Sequence, residues 1–290
     1  MADIAIIGTG MAGATAARAL SDAGRRVMLF DKSRGFGGRL ATRRGDGFEL
    51  DHGAPGIIAR DTGFRDALVS AGGVLCEGLG FVGNPGMSSL VKAMANGLPA
   101  HLGVEIAGIV PARDGLSLTS TDGAVFGPFA RVICAIPVPQ AMRLGAEISG
   151  VRGALAPVRM APTWSLLLAF DTEVVLPDAV APMAKIINDG AKPGRAHTWV
   201  AHASIAWSNA HLEDDREAVA EVLLASLGPL PAPRYSAAHR WRYAFTETPL
   251  GAPFHSALDG HLLFGGDWGL GPDAEHAWRS GQAMAAALLT

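Results

Sequence analysis

Ile4-Ala-Ile-Ile-Gly-Thr-Gly-Met-Ala-Gly13, an alanine-rich stretch and then Arg26-Val-Met-Leu-Phe-Asp31 form the segment that decides the fold. The apolar run Ile4–Ile7 reads as a strand, the glycines as a turn, the alanines as a helix from about Met11, and Val27–Phe30 as a second strand ending on a carboxylate. That order is a dinucleotide-binding fingerprint. Gly8 permits the tight turn, Gly10 lets backbone come close to a pyrophosphate, and Gly13 lets the helix lie close to the strand. Free amides at the start of the helix face the phosphate charge. Asp31 lies 18 residues beyond Gly13, where a carboxylate accepts from the ribose hydroxyls of an adenosine and repels a 2'-phosphate.

The remaining composition narrows the class. The chain has 290 residues, is 49% hydrophobic and 18% charged, and carries a formal net charge of −3. That length buries one large core or two sharing an interface. Without a run of Lys or Arg, nucleic acid and anionic membrane surfaces are poor partners, and phosphate recognition must be local. The first strand begins almost at once and no apolar stretch reaches the roughly 20 residues of a membrane span. A cytoplasmic protein is therefore expected. Cys76 and Cys134 are the only cysteines, which argues against a disulfide framework or a thiolate metal site. The nine His residues show no ligand spacing, so no metal is expected.

Further strands are expected near Glu105–Val110, Leu116–Ser120, Val132–Ile136 and His261–Phe264. A different style runs from about Val151 to Phe254, with alternating segments at Thr163–Phe170, Met183–Asn188, Thr198–Ile205 and His239–Phe245. Such alternation fits an antiparallel sheet with one covered face. A helix is expected near Asp214–Leu227, opening on acids and closing at Gly228-Pro229. The fold class is α/β: a Rossmann-like cofactor domain built from residues 1–150 and 255–290, interrupted by a smaller substrate domain on an antiparallel sheet. That second domain covers residues 151–254 and can draw on part of 55–85.

Two more glycine sites favour a flavin over a nicotinamide cofactor. After Asp31 comes Lys32-Ser-Arg-Gly-Phe-Gly-Gly-Arg39, whose amides can line a second side of a pyrophosphate while Arg39 adds a guanidinium. Near the C-terminus, Leu263-Phe-Gly-Gly-Asp267-Trp268 reads as a strand closing on glycines and an acid, with a helix from about Ala274. The acid can accept from ribityl hydroxyls and the helix N-terminus can face phosphate.

With these motifs the chain resembles the FAD-dependent amine-oxidase-like flavoproteins, and within them the bacterial renalase-like group. The likeness runs through Gly8–Gly13, Phe30–Arg43, Asp51-His-Gly-Ala54, Pro85-Gly-Met87, Lys192-Pro-Gly-Arg195, Trp207-Ser208 and Gly266-Asp267-Trp268. It implies that Gly8, Gly10, Gly13, Asp31, Arg39 and Asp267 contact FAD and that Asp51–Ala54 lie where the chain passes the flavin ring. The full set of candidate cofactor contacts is Gly8, Gly10, Met11, Ala12, Gly13, Asp31, Lys32, Gly37, Gly38, Arg39, Asp51, Gly53, Ala54, Gly266 and Asp267. One departure matters: members of that group carry a longer segment between the Asp51 region and Pro85-Gly-Met87, where only Val74–Asn84 stand here. The shape of the pocket, and with it the substrate, is left open.

The resemblance also implies oxidation of dihydronicotinamide dinucleotides, particularly isomers with hydride at an unusual ring position, with oxygen taking the electrons to give hydrogen peroxide. A dihydropyridine gains aromaticity on losing hydride and needs no general base, so positioning dominates and no catalytic residue is assigned. Its diphosphate wants cations, for which Arg195 and Arg242 are the candidates. Candidate pocket residues are His52, Trp199, Arg242, Tyr243 and Trp268. Trp164, Trp207, Trp241, His197, His202 and His239 share the same region, although aromatic residues and histidines in alternating strands also serve as plain core. The site is expected where Asp51–Ala54, Trp268 and the inner faces of Thr198–Ile205 and His239–Phe245 converge. An amine oxidase or desaturase-type dehydrogenase is the rival enzyme, and an FAD-binding protein without rapid turnover the rival of another class. The flavin is expected to be noncovalent, and the oligomeric state stays open.

Overall fold

The computed structural model describes residues 3–45 and 47–290. Its central sheet has six strands in the order Phe254–Ala257, Leu262–Gly265, Arg131–Cys134, Ile4–Ile7, Val27–Asp31 and Ala100–Leu102. All neighbours run parallel except the first pair. Ile4–Ile7 lies in the middle and is buried at every position, as a strand covered on both faces must be. Ala100–Leu102, three residues long, carries no alternation by which it could be read beforehand.

One face of this sheet is closed by the helices Met11–Asp22 and Ala274–Leu289. Alanines make that layer thin. Ala12, Ala14, Ala16 and Ala17 are buried, and a Cβ on Gly281 would lie 2.4 Å from the carbonyl oxygen of Ala12. On the other face sits a three-stranded antiparallel sheet of Ile106–Ala112, Gly115–Ser120 and Val125–Phe129. Its Ile109, Leu118 and Phe129 pack around Phe30. The expected strands at 105–110 and 116–120 therefore form a separate layer.

The second large sheet is antiparallel, in the order Met183–Asn188, Thr198–Ala203, Arg159–Ala169, Tyr235–Thr248. All four strands fall between 151 and 254. One face carries Trp164, Leu166, Leu168, Trp199 and Ala201 against the helix Arg216–Ser226. On the opposite face Leu167 and Val200 meet Leu50, from the antiparallel pair Thr42–Gly45 and Phe48–Asp51. The expectation of one covered face is thus corrected: both are covered, and every residue from Ala161 to Ala169 is buried. Tyr235–Thr248 is an edge strand, so a groove can reach around it. Among the described residues, no helix is long and apolar enough to cross a membrane.

Candidate active site

The two glycine loops meet. Gly37 N–H donates to the Thr9 carbonyl at 3.0 Å, and a Cβ on Gly38, at φ +56°, would lie 3.2 Å from Gly10 Cα. Gly8, at φ +105°, has no room either, since its Cβ would come within 2.4 Å of the Ala135 carbonyl oxygen. A Cβ on Gly13 would fall 1.9 Å from the Gly8 carbonyl oxygen. Gly10 differs from all three. Its φ is −79°, and the nearest atom to an added Cβ is 3.9 Å away. What keeps Gly10 small is the open space it faces.

Asp31 ends the second strand and ties it to the first loop. Thr9 N–H and Thr9 Oγ1 donate to its Oδ2 at 2.7 and 2.8 Å, and Ser33 N–H donates to Oδ1 at 2.7 Å. The carboxylate retains capacity for further donors. At the far end Arg39 grips Asp267 in a bidentate pair at 2.5 and 2.7 Å, and Thr246 Oγ1 adds a bond at 3.2 Å. Trp268 is fully buried, with its indole N–H donating to the Ile136 carbonyl at 3.0 Å. Asp273 caps the C-terminal helix by accepting from His276 N–H at 3.0 Å.

Between these groups lies a cavity of about 1290 Å³, larger than the roughly 300–1,000 Å³ typical of a small-molecule site. Of the candidate cofactor residues, Gly8, Gly10, Met11, Ala12, Asp31, Lys32, Gly37, Gly38, Arg39, Gly53, Ala54, Gly266 and Asp267 line it. So do His52, Arg242, Tyr243 and Trp268 of the candidate pocket residues. Gly13 stands behind the cradle as a packing glycine.

Two site residues are placed elsewhere. Trp199 is 8% exposed and packs with Trp164 and Trp207 in the core beneath the second sheet. Its neighbour His202 takes the cavity face instead, because an odd step along a strand reverses the side chain's face. Asp51 is wholly buried, accepting from Lys192 Nζ and Thr42 Oγ1 at 2.7 and 2.6 Å and from Met87 N–H at 3.0 Å. Arg195, a candidate phosphate cation, is also spent inside: it pairs with Asp51 at 3.0 Å and with Asp189. Lys192 completes the group, 2.7 Å from Asp189. Two buried cations thus balance two buried carboxylates. The cations hold the Asp51 carboxyl below its usual range against the opposing effect of burial.

The wall opposite the cradle is built of rings. His52 stacks on Trp241 with centroids 5.1 Å apart, and His239 stands edge-on to both at 4.6 and 4.4 Å. Trp241 Nε1 donates to the His52 carbonyl at 2.8 Å. Burial pushes His52 and His202 down to about 4 and His239 to about 3. Positive charge adds to the effect, from Arg43 at His52, Lys185 at His202 and Arg216 at His239. All three rings are neutral at ordinary pH.

Charge on this side is one-signed. Lys185, Arg216, Arg240 and Arg242 are the charged lining residues between 151 and 254, and none there is acidic. Arg240 and Arg242 share Glu213, the latter through bonds of 2.5 and 2.7 Å. Lys185 and Arg216 have no acidic partner among the described residues. Neither residue carries a sequence signal, since a lone exposed cation looks like any solvated surface charge.

Residues 6–67 match the NAD(P)-binding Rossmann-like domain and residues 58–289 match flavin containing amine oxidoreductase. The chain belongs to the flavin containing amine oxidoreductase family. The match within this family covers most of the chain, and FAD is the cofactor. The cradle fits it: glycines where backbone must approach phosphate, an acid at the ribose position, and space in front of Gly10. The fold is that of a putrescine oxidase solved with putrescine bound, at TM-score 0.73, 14% identity and 99% of both chains. It is equally that of a protein described as a protoporphyrinogen oxidase from Exiguobacterium sp. 255-15, at TM-score 0.75, 12% identity and 98% of both chains. In sequence, the 4,4'-diapophytoene desaturase of Staphylococcus aureus (strain Newman) is 35% identical over 69 residues. That stretch spans 24% of this chain and 14% of the desaturase.

Proposed function

We propose that this protein is an FAD-dependent oxidase that takes hydride from a dihydronicotinamide dinucleotide, including isomeric dihydro-NAD(P), with oxygen as acceptor and hydrogen peroxide as product. The carrying observation is the substrate wall: flat neutral rings at its centre and only cations among its charged members. A dinucleotide donor offers a planar ring for the first and a diphosphate for the second. In this reading residues 1–150 and 255–290 hold the cofactor noncovalently, and 151–254 recognise the donor. When bound, the flavin supplies a two-electron acceptor at N5.

The chain's own residues orient and shield. Asp31 holds ribose hydroxyls, the Gly10 and Gly38 loops admit the pyrophosphate, and His52 and Trp241 fix the plane of the donor ring. Lys185, Arg216 and Arg242 draw the diphosphate toward the sheet edge. With neutral imidazoles on the wall, no proton need move to start hydride loss.

Oxidation of an amine, or a desaturase-type dehydrogenation, is the second reading, and family membership favours it. An ammonium substrate would meet four lining cations here, two of them paired with Glu213 behind them, and no carboxylate among the lining residues of that wall, which is unfavourable at short range. The deciding experiment is an anaerobic visible spectrum of the FAD-loaded protein, before and after adding borohydride-reduced NAD that contains the 2- and 6-dihydro isomers beside the 4-isomer. Bleaching is expected. A flavin that stays oxidised with the mixture yet bleaches with an amine would replace this reading with the second.

A further inference from the structure

Asp51 does not line the cavity, but it directly precedes His52, Gly53 and Ala54, which do. Both its oxygens are engaged. Oδ1 accepts from Thr42 Oγ1 and Met87 N–H, and Oδ2 lies 2.7 Å from Lys192 Nζ and 3.0 Å from Arg195 Nη2. Its backbone N–H donates to Asp189 Oδ2 at 3.3 Å, and Arg195 Nη2 also donates to the Pro85 carbonyl at 2.9 Å. The four charged side chains are at most 4% exposed. The turn at 189–195 is thereby bolted to the segments at 51 and 85–87 by a group whose charges cancel. Beyond Asp51 the chain is pinned again: Trp241 Nε1 donates to the His52 carbonyl at 2.8 Å and Ala54 N–H to the Arg39 carbonyl at 2.9 Å. A Cβ on Gly53 would lie 2.0 Å from that Arg39 oxygen, so the stretch has no slack in which to absorb a shift at Asp51.

We propose that Asp51, Asp189, Lys192 and Arg195 are positioning residues: the neutrality of this buried quartet fixes His52–Ala54 against the flavin, and with them the His52 and Trp241 wall. A buried charge left without its partner is strongly unfavourable. Removing Lys192 would leave two carboxylates on one guanidinium, and burial and the like charge beside it raise the pKa of one of them until it holds a proton. Below that pKa the group is neutral and stays closed. Above it the surplus negative charge draws in water, the clamp opens, and the adjoining stretch moves. A displacement of about 1 Å near a reacting centre costs roughly 10²-fold in rate. The inference goes beyond the choice of donor and rests on the dihydronicotinamide reading only for the part His52 plays toward the donor ring.

The test follows the FAD-loaded protein from about pH 6 to pH 9, where an ordinary carboxyl is fully ionised. Two signals are read: the visible circular dichroism of the bound flavin, which needs no donor, and the anaerobic rate of flavin reduction by saturating borohydride-reduced NAD. In Lys192→Met both are expected to change through one ionisation that the unaltered protein lacks, with the rate falling roughly 10²-fold toward the alkaline end. FAD held at pH 6 and shed at pH 9 by this variant is the same result in stronger form. Lys192→Met combined with Asp189→Asn leaves Asp51 and Arg195 as a neutral pair, so the pH dependence should vanish and the rate should recover. A role confined to lost hydrogen bonds predicts the opposite order, with the double variant worse than the single. Flavin dichroism independent of pH in Lys192→Met, a double variant as impaired as the single one, or loss of FAD from both at every pH overturns the proposal. Because the dichroism is read without donor, a protein that no dihydronicotinamide reduces loses the donor and keeps the quartet's role.

Discussion

Gly10 and Gly13 occupy one motif for opposite reasons. Gly13 is small because the first loop's backbone lies against it, and Gly10 because it faces the cavity. Gly10→Leu should therefore lose FAD retention while the apoprotein keeps its secondary structure and unfolding midpoint. The ratio of flavin absorbance to protein absorbance after purification checks it, and full occupancy would contradict the cradle. The histidines give a second test at this scale. His52, His202 and His239 sit well below the ordinary imidazole value in the folded protein, so the unfolded chain binds more protons between about pH 6.5 and pH 4. Stability should fall as pH drops through that window, before most carboxylates begin to protonate. Denaturant unfolding at stepped pH measures the slope, and His239→Phe should reduce it. A flat profile from 6.5 to 4 would mean that the rings are not held neutral.

For the strands, alternation was readable and its phase was not. Thr198–Ala203 announces itself as a strand, yet nothing in Thr-Trp-Val-Ala-His-Ala says which parity faces the cofactor. The strand's partners decide it, through Ser165 opposite His202 and Leu168 opposite Trp199. Trp199→Ala should then cost about 3–5 kcal/mol of stability, as for other buried aromatic truncations, and leave the flavin spectrum and its reaction with donor unchanged. Thermal unfolding beside an anaerobic donor titration separates the two effects; an altered donor affinity at unchanged stability would return Trp199 to the pocket. Asp51 was hidden for a related reason. Its neighbours His52–Ala54 do line the cavity, but the carboxylate turns inward to Lys192 and Arg195, and those cations lie about 140 residues further along the chain.

At the level of the whole molecule, the cofactor half was legible because it depends on local order. Strand, glycines, helix, strand and acid fall within the first 31 residues, and each step constrains the next. The substrate half depends on how distant segments face one another. Four cations from three separate segments, around 185, 216 and 240–242, meet at one wall, and a buried quartet joins the chain near 51 to the chain near 190. Length and composition carry no trace of either arrangement. The Arg39–Asp267 pair closes the cradle across 228 residues of intervening chain. Synthesis runs from one side of that pair to the other, so a ribosome that has already released the first glycine loop still holds its acidic partner back. That closing contact can form only once translation has passed Asp267, so until then the nascent chain leaves this end of the cleft open.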